Sequence, residues 1–164
     1  PEPAASSSAA PRVIADDDGV PVFSSLSTLE RVAIEEAGVP IAEAQNIMKL
    51  LDLSAGTPPH ELLGLPRTTF HRREKSGGVI AGAPGQTVIG YADLLAKLDA
   101  LLSEYGDPDV LASGSFDGGK WLGQWILEPN TSLGGYQPAA LMRTPTGREA
   151  VNRALGGLFS GAYQ

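Results

Sequence analysis

Two short stretches of this sequence carry residue types and spacings that could do chemistry. The first, Gly114 to Lys120 (GSFDGGK), has the glycine and lysine spacing of a loop that cradles phosphates. Such a loop needs Ser or Thr after the lysine to hold magnesium, and a strand before it. Here Trp121 follows and no apolar strand precedes. Nucleotide binding is therefore not expected. The second stretch, Arg67 to Lys75 (RTTFHRREK), holds four of the twelve basic residues against one acid. It carries +3 and the rest of the chain −10, within a net charge of −7. An acidic body argues against nonspecific coating of nucleic acid, but the local patch suits contact with a polyanion at one place. The chain has no cysteine, which excludes disulfides and thiol catalysis. With only His60 and His71, no metal site is expected. No nucleophile is paired with a base and no carboxylate pair forms a recognisable site, so the chain is read as a non-enzyme with no catalytic residue and no cofactor.

The basic stretch needs an element to present it. After Leu65-Pro66 the spacing predicts a helix with Phe70 inward and Thr68, Thr69, Arg72, Arg73 and Lys75 outward, ended by Gly77-Gly78. Before it, Thr57 is placed to cap a short helix through ELLGL that stops at Gly64. A short helix, a tight turn with glycine and a second helix make a helix-turn-helix, whose second helix enters the major groove. Arg67, Thr68, Thr69, Arg72, Arg73 and Lys75 are the candidate DNA contacts, the arginines for guanine edges and the threonines for phosphates or thymine methyls. The alternative is a solvated cationic face that pairs with the acidic body.

The remaining chain reads as all-α. Residues 1 to 18 have almost no large apolar side chains and are expected to form a disordered tail. Leu26, Leu29, Val32 and Ala33 predict the inner face of a first helix closed by Gly38. Pro40 suits the first turn of a second, with Ile41, Ala44, Ile47, Met48 and Leu51 on one face. Val79 to Gly85 (VIAGAPG) reads as a flexible joint rather than a strand. From Gln86 to Tyr105, Val88, Tyr91, Leu94, Leu95, Leu98, Leu101 and Leu102 describe one long amphipathic helix joining two halves. Trp121 and Trp125, four apart, could stack on a ligand, but the commoner reading is amphipathic core. Pro129 ends their helix, Gly134-Gly135 permits a turn, and Pro138 starts a short helix. Thr144 and Pro145 then open a last helix with Val151, Leu155, Leu158 and Phe159 in one stripe. Leu158, Phe159 and Tyr163 lie within seven residues of the end of the sequence, where something should cover them. The expected organisation is a tail (1–18), a helix-turn-helix domain (19–85) and a small helical C-terminal domain (86–164). No apolar run approaches the roughly 20 residues of a membrane span, and the opening residues lack the basic and apolar regions of a secretory signal. A cytoplasmic chain with no membrane partner is expected.

Beyond these physical readings, Trp125-Ile126, Pro129-Asn130, Leu133-Gly134-Gly135, Pro138, Leu141, Thr144, Gly147 and Val151 stand at a familiar spacing. The pattern resembles the C-terminal toxin-binding domain of the MbcA/ParS/Xre antitoxins, and LGLPRTTFHRRE resembles the Xre-like half of the same family. Ile126 replaces the usual Leu, and Gln137 replaces a Thr that would cap the helix at Pro138. The resemblance implies a RES-domain toxin as partner, an enzyme that either degrades NAD or transfers its ADP-ribose. It also implies inhibition by occlusion of that enzyme's cofactor cleft. Carried over, the insertion segment is Gly156 to Gln164, with Leu158, Phe159, Gly161, Ala162, Tyr163 and Gln164. The supporting loop is Asn130 to Tyr136, with Asn130, Gly134, Gly135 and Tyr136. The implied DNA role is repression of the chain's own operon by a homodimer or a toxin–antitoxin hetero-oligomer, on half-sites about 34 Å apart. A helix-turn-helix regulator without a toxin partner is the alternative, separated from the first by whether an adjacent reading frame encodes a RES-like enzyme.

Overall fold

Ser27 opens the first helix with a reciprocal cap: the backbone N–H of Glu30 donates to its hydroxyl, while the Glu30 carboxylate accepts from the Ser27 N–H at 2.8 Å. In this computed structural model, which describes residues 23–53 and 56–161, the helix is α1 (Thr28–Ala37). The expected tail at 1–18 lies outside the described residues. α1 turns a different face inward from the one its leucines suggest. Ile34 is buried, while Leu29 is 80% exposed and Val32 and Ala33 also face out. Leu26 precedes the helix, so a periodicity counted from it does not define a helical face. Arg31 fixes the actual orientation through two bonds to the Asp93 carboxylate, at 3.0 and 2.8 Å.

Val39–Pro40 (β1) pairs antiparallel with Val79–Ile80 (β2), in the register Val39↔Ile80 and Pro40↔Val79. This short bridge corrects two expectations. Pro40 caps α2 (Ile41–Leu50) from outside the helix, and Val79–Ile80 is a strand rather than a flexible joint. The local signal was weak because two residues carry no detectable period; the pairing depends on a partner forty residues away. α3 (Pro59–Leu63) begins at Pro59 with Pro58 before it, so Thr57 does not cap it. Gly64 then takes a left-handed conformation (φ 72°) that turns the chain into α4 (Arg67–Ser76).

α5 (Gly82–Tyr105) is the axis of the molecule. It starts four residues earlier than the apolar pattern implies. Over Thr87–Ala92 it is buried all round rather than amphipathic. Gly85 and Gly90 explain the close approach: side chains there would meet the Ile80 carbonyl and the Arg148 side chain. The segment Phe23–Ser25, β1 and helices α1, α2 and α3 contact α5 from one half of the chain. From the other half come α7 (Gly118–Trp125) and α9 (Pro145–Ser160), after α6 (Pro108–Ser113) has turned the chain. A 3-10 turn (Thr131–Leu133) and α8 (Pro138–Leu141) complete the described residues. The core is one cluster that runs through Ile47, Leu63, Tyr91, Leu94, Leu122, Met142 and Leu155. No helix among the described residues is long and apolar enough to cross a membrane.

Candidate nucleic-acid and partner-binding surfaces

On α4, Phe70 packs inward and the opposite side is exposed. Arg67, Thr68, His71, Arg72 and Lys75 line one outer face, at the spacing of successive helical turns. Two expected DNA contacts stand apart from it. Thr69 is half-buried, and Arg73 turns its guanidinium back to donate to the Val79 carbonyl of β2. Arg73 is thus a structural clasp, which its place in a run of basic residues concealed. His71 was missed for the converse reason, since a lone histidine gives no pattern. It sits on the same face, with Nδ1 2.7 Å from the Glu74 carboxylate.

A second surface is built by residues 121–161. Asn130 accepts from the Ser132 N–H (2.9 Å) and hydroxyl (2.6 Å), which starts the 3-10 turn. Its backbone N–H donates to the Tyr136 carbonyl and its own carbonyl accepts from Gly135, closing the loop on itself. Gly134 and Gly135 have φ of 67° and 83°, a conformation in which a Cβ is strained. The closed loop leaves Tyr136 63% exposed. The 3-10 turn packs against α9, where Leu158 is 50% exposed and so departs from the buried stripe of Val151 and Leu155. Phe159 is half-buried, edge-on to Trp121 at 6.3 Å, and Trp121 stacks on Trp125 at 6.2 Å. The tryptophans are therefore core-edge residues, and Leu158 rather than Phe159 presents the free apolar side chain. Gly161 ends α9 in a left-handed cap (φ 68°). Ala162, Tyr163 and Gln164 lie outside the described residues.

Residues 115–161 match the model of the antitoxin Xre/MbcA/ParS C-terminal toxin-binding domain. Residues 115–161 are therefore an antitoxin domain of the Xre/MbcA/ParS family. The chain is also 26% identical over 137 residues to the Prs ADP-ribosylating antitoxin of Sphingobium sp. (strain YBL2), covering 84% of this chain and 82% of that one. The matched antitoxin domain starts inside the apparent phosphate loop and gives its glycines another purpose. The Asp117 carboxylate caps α7, accepting from the Lys120 N–H at 3.0 Å, so an acid stands where a phosphate would have to sit. Gly119 and Gly123 let α7 lie directly on the Leu50 and Leu51 carbonyls at the end of α2. Thr144 caps α9 as its sequence predicts, accepting from Gly147. α8 starts at Pro138 with no side-chain cap from Gln137.

The antitoxin domain also reaches the α3–α4 turn. Arg143, between α8 and α9, lies over Gly64 and donates to the Glu61 carbonyl. Arg148 donates to the Met142 carbonyl at 3.1 Å, and burial lowers its pKa from the usual arginine value. Lys97 of α5 donates to the Asn152 carbonyl at 2.6 Å. The Arg143 bond joins the toxin-binding domain to the half of the molecule that carries the cationic face, and the Lys97 bond ties α9 to the shared axis α5.

Proposed function

We propose that this antitoxin neutralises a RES-domain toxin by seating Tyr136, Leu158 and the following residues against the toxin's NAD cleft, and represses its own operon through α4. The observation that carries the reading is that the matched toxin-binding domain displays a loop closed by its own hydrogen bonds, with Tyr136 and Leu158 exposed on it and on the helix it packs against. Such closure limits the entropy lost on docking. The mode of action is steric, so the antitoxin does no chemistry of its own. The −7 net charge favours approach to a cleft that must be cationic to hold a pyrophosphate, and raises association rate more than affinity. The name of the Sphingobium relative couples an antitoxin to Prs ADP-ribosylation, which favours ADP-ribosyl transfer over NAD degradation as the chemistry held in check. Two copies of α4, from a dimer or a toxin-bridged assembly, would meet successive major grooves about 34 Å apart, in the cytoplasm where operon and NAD are found.

The test is ADP-ribosyl transfer by the RES enzyme encoded beside this chain, assayed alone, with the antitoxin, and with a Tyr136→Ala, Leu158→Asp double variant. Both side chains are exposed, so the variant should keep its fold. Inhibition by the native chain and its loss in the variant are expected. Equal inhibition by both would move the contact elsewhere on the domain, and no inhibition by either would leave a DNA-binding regulator without a toxin.

A further inference from the structure

Arg67 is the first residue of α4, the end of a recognition helix that meets base edges. Its Nε donates to Nε2 of His71, one turn along, at 3.4 Å. On the other side of the ring, Nδ1 lies 2.7 Å from Glu74 Oε2, and Gln45 of α2 donates to Glu74 Oε1 at 3.0 Å. The four side chains form a relay from the body of the fold to the tip of the cationic face. Its chemistry is specific. An imidazole accepts at Nε2 only when it is neutral with the proton on Nδ1, and a carboxylate at Nδ1 holds that tautomer. With Nε engaged, the two terminal nitrogens of Arg67 stay free of protein partners among the described residues, and these are the atoms a guanine edge takes in bidentate fashion.

We propose that His71 is a positioning residue for operator reading: it aims Arg67, and its protonation releases that aim while adding a charge to the face. This rests on the operator-binding reading above. A protonated ring donates at both nitrogens, so it can no longer accept from Arg67 and repels it instead. Attraction to phosphates rises with the extra charge as sequence discrimination falls. The other charged and titratable groups around the ring are Arg67 and Glu74 on α4 and His60 and Glu61 on α3, which line the same groove. Arg72 and Lys75 share its outer face. His60 is the other imidazole in this groove, so His60→Gln serves as the control.

The experiment measures binding of the full chain to a duplex carrying its own promoter and to a scrambled duplex of equal length. Ionic strength is fixed, and readings are taken at about pH 8 and about pH 5.5, on either side of imidazole titration. The native chain and His60→Gln should lose about tenfold in promoter preference on acidification, with tighter scrambled binding. His71→Ala should have the low preference at both pH values. His71→Gln, whose amide can accept from Arg67 and donate to Glu74, should keep the high preference at both. Full preference and full pH response in His71→Ala would overturn the proposal while leaving operator binding intact. A native chain that binds both duplexes alike at about pH 8 would overturn the operator reading itself.

Discussion

Gly123 shows how a single position can be mistaken in kind. In the sequence it is one more glycine after a phosphate-loop look-alike; in the fold it is the point where α7 rests on the backbone of α2, and a Cβ there would run into the Leu51 carbonyl. The carbonyl belongs to a buried residue in well-packed surroundings, so it cannot step aside. Gly123→Ala should therefore destabilise the chain by about 3 kcal/mol, read as a lower urea midpoint. Glu43 on α2 is the opposite case, a residue the fold tolerates rather than requires. Its Oε2 is buried and has no hydrogen-bond partner among the described residues, and desolvation raises its pKa above the usual carboxylate range. A raised pKa means the folded chain holds this proton more tightly than the unfolded chain. Stability from this group therefore falls as pH rises from the unfolded value through the folded one. Glu43→Gln should raise the melting temperature at pH about 7, and the gain should vanish below about pH 4.

At the scale of elements, the sequence was legible wherever the signal was local. Thr144 and Pro145 set the start of α9, Gly64 and Gly77 the ends of α3 and α4, and each is a statement about the residue's own backbone or its nearest N–H groups. What could not be read depended on distant partners. The β1–β2 bridge, the inward face of α1 and the all-round burial of α5 are decided by what packs against them. The candidate DNA face divides in the same way. Arg72 and Lys75 follow from helical period, whereas the diversion of Arg73 to β2 and the Gln45–Glu74–His71–Arg67 relay are tertiary. The proposed toxin-binding loop was legible as a turn from Gly134-Gly135, but the exposure of Leu158 beside a half-covered Phe159 was not, because the stripe treats both alike. The two neighbouring arginines on α4 can be told apart by experiment. Arg72→Ala should leave the melting temperature unchanged and lower the salt slope of promoter binding by about one. Arg73→Ala should keep that slope and cost about 1 kcal/mol of stability through the lost bond to Val79.

Across the whole molecule, the cationic face and the proposed toxin-binding loop have no separate foundations. Both halves draw their core from α5, and Arg143 ties the α8–α9 connection to the carbonyl end of α3. A chain built this way should unfold in one transition, so a ligand on either surface withdraws population from the unfolded state of both. Promoter DNA added in excess should accordingly slow amide exchange in α9 as well as in α4, and exchange that slows in α4 alone would show that the halves open independently. The shared axial helix thereby sets the terms of turnover in a living cell. Degradation draws on the loosened chain, and if neither half loosens first, occupancy at either end lengthens the life of the entire molecule.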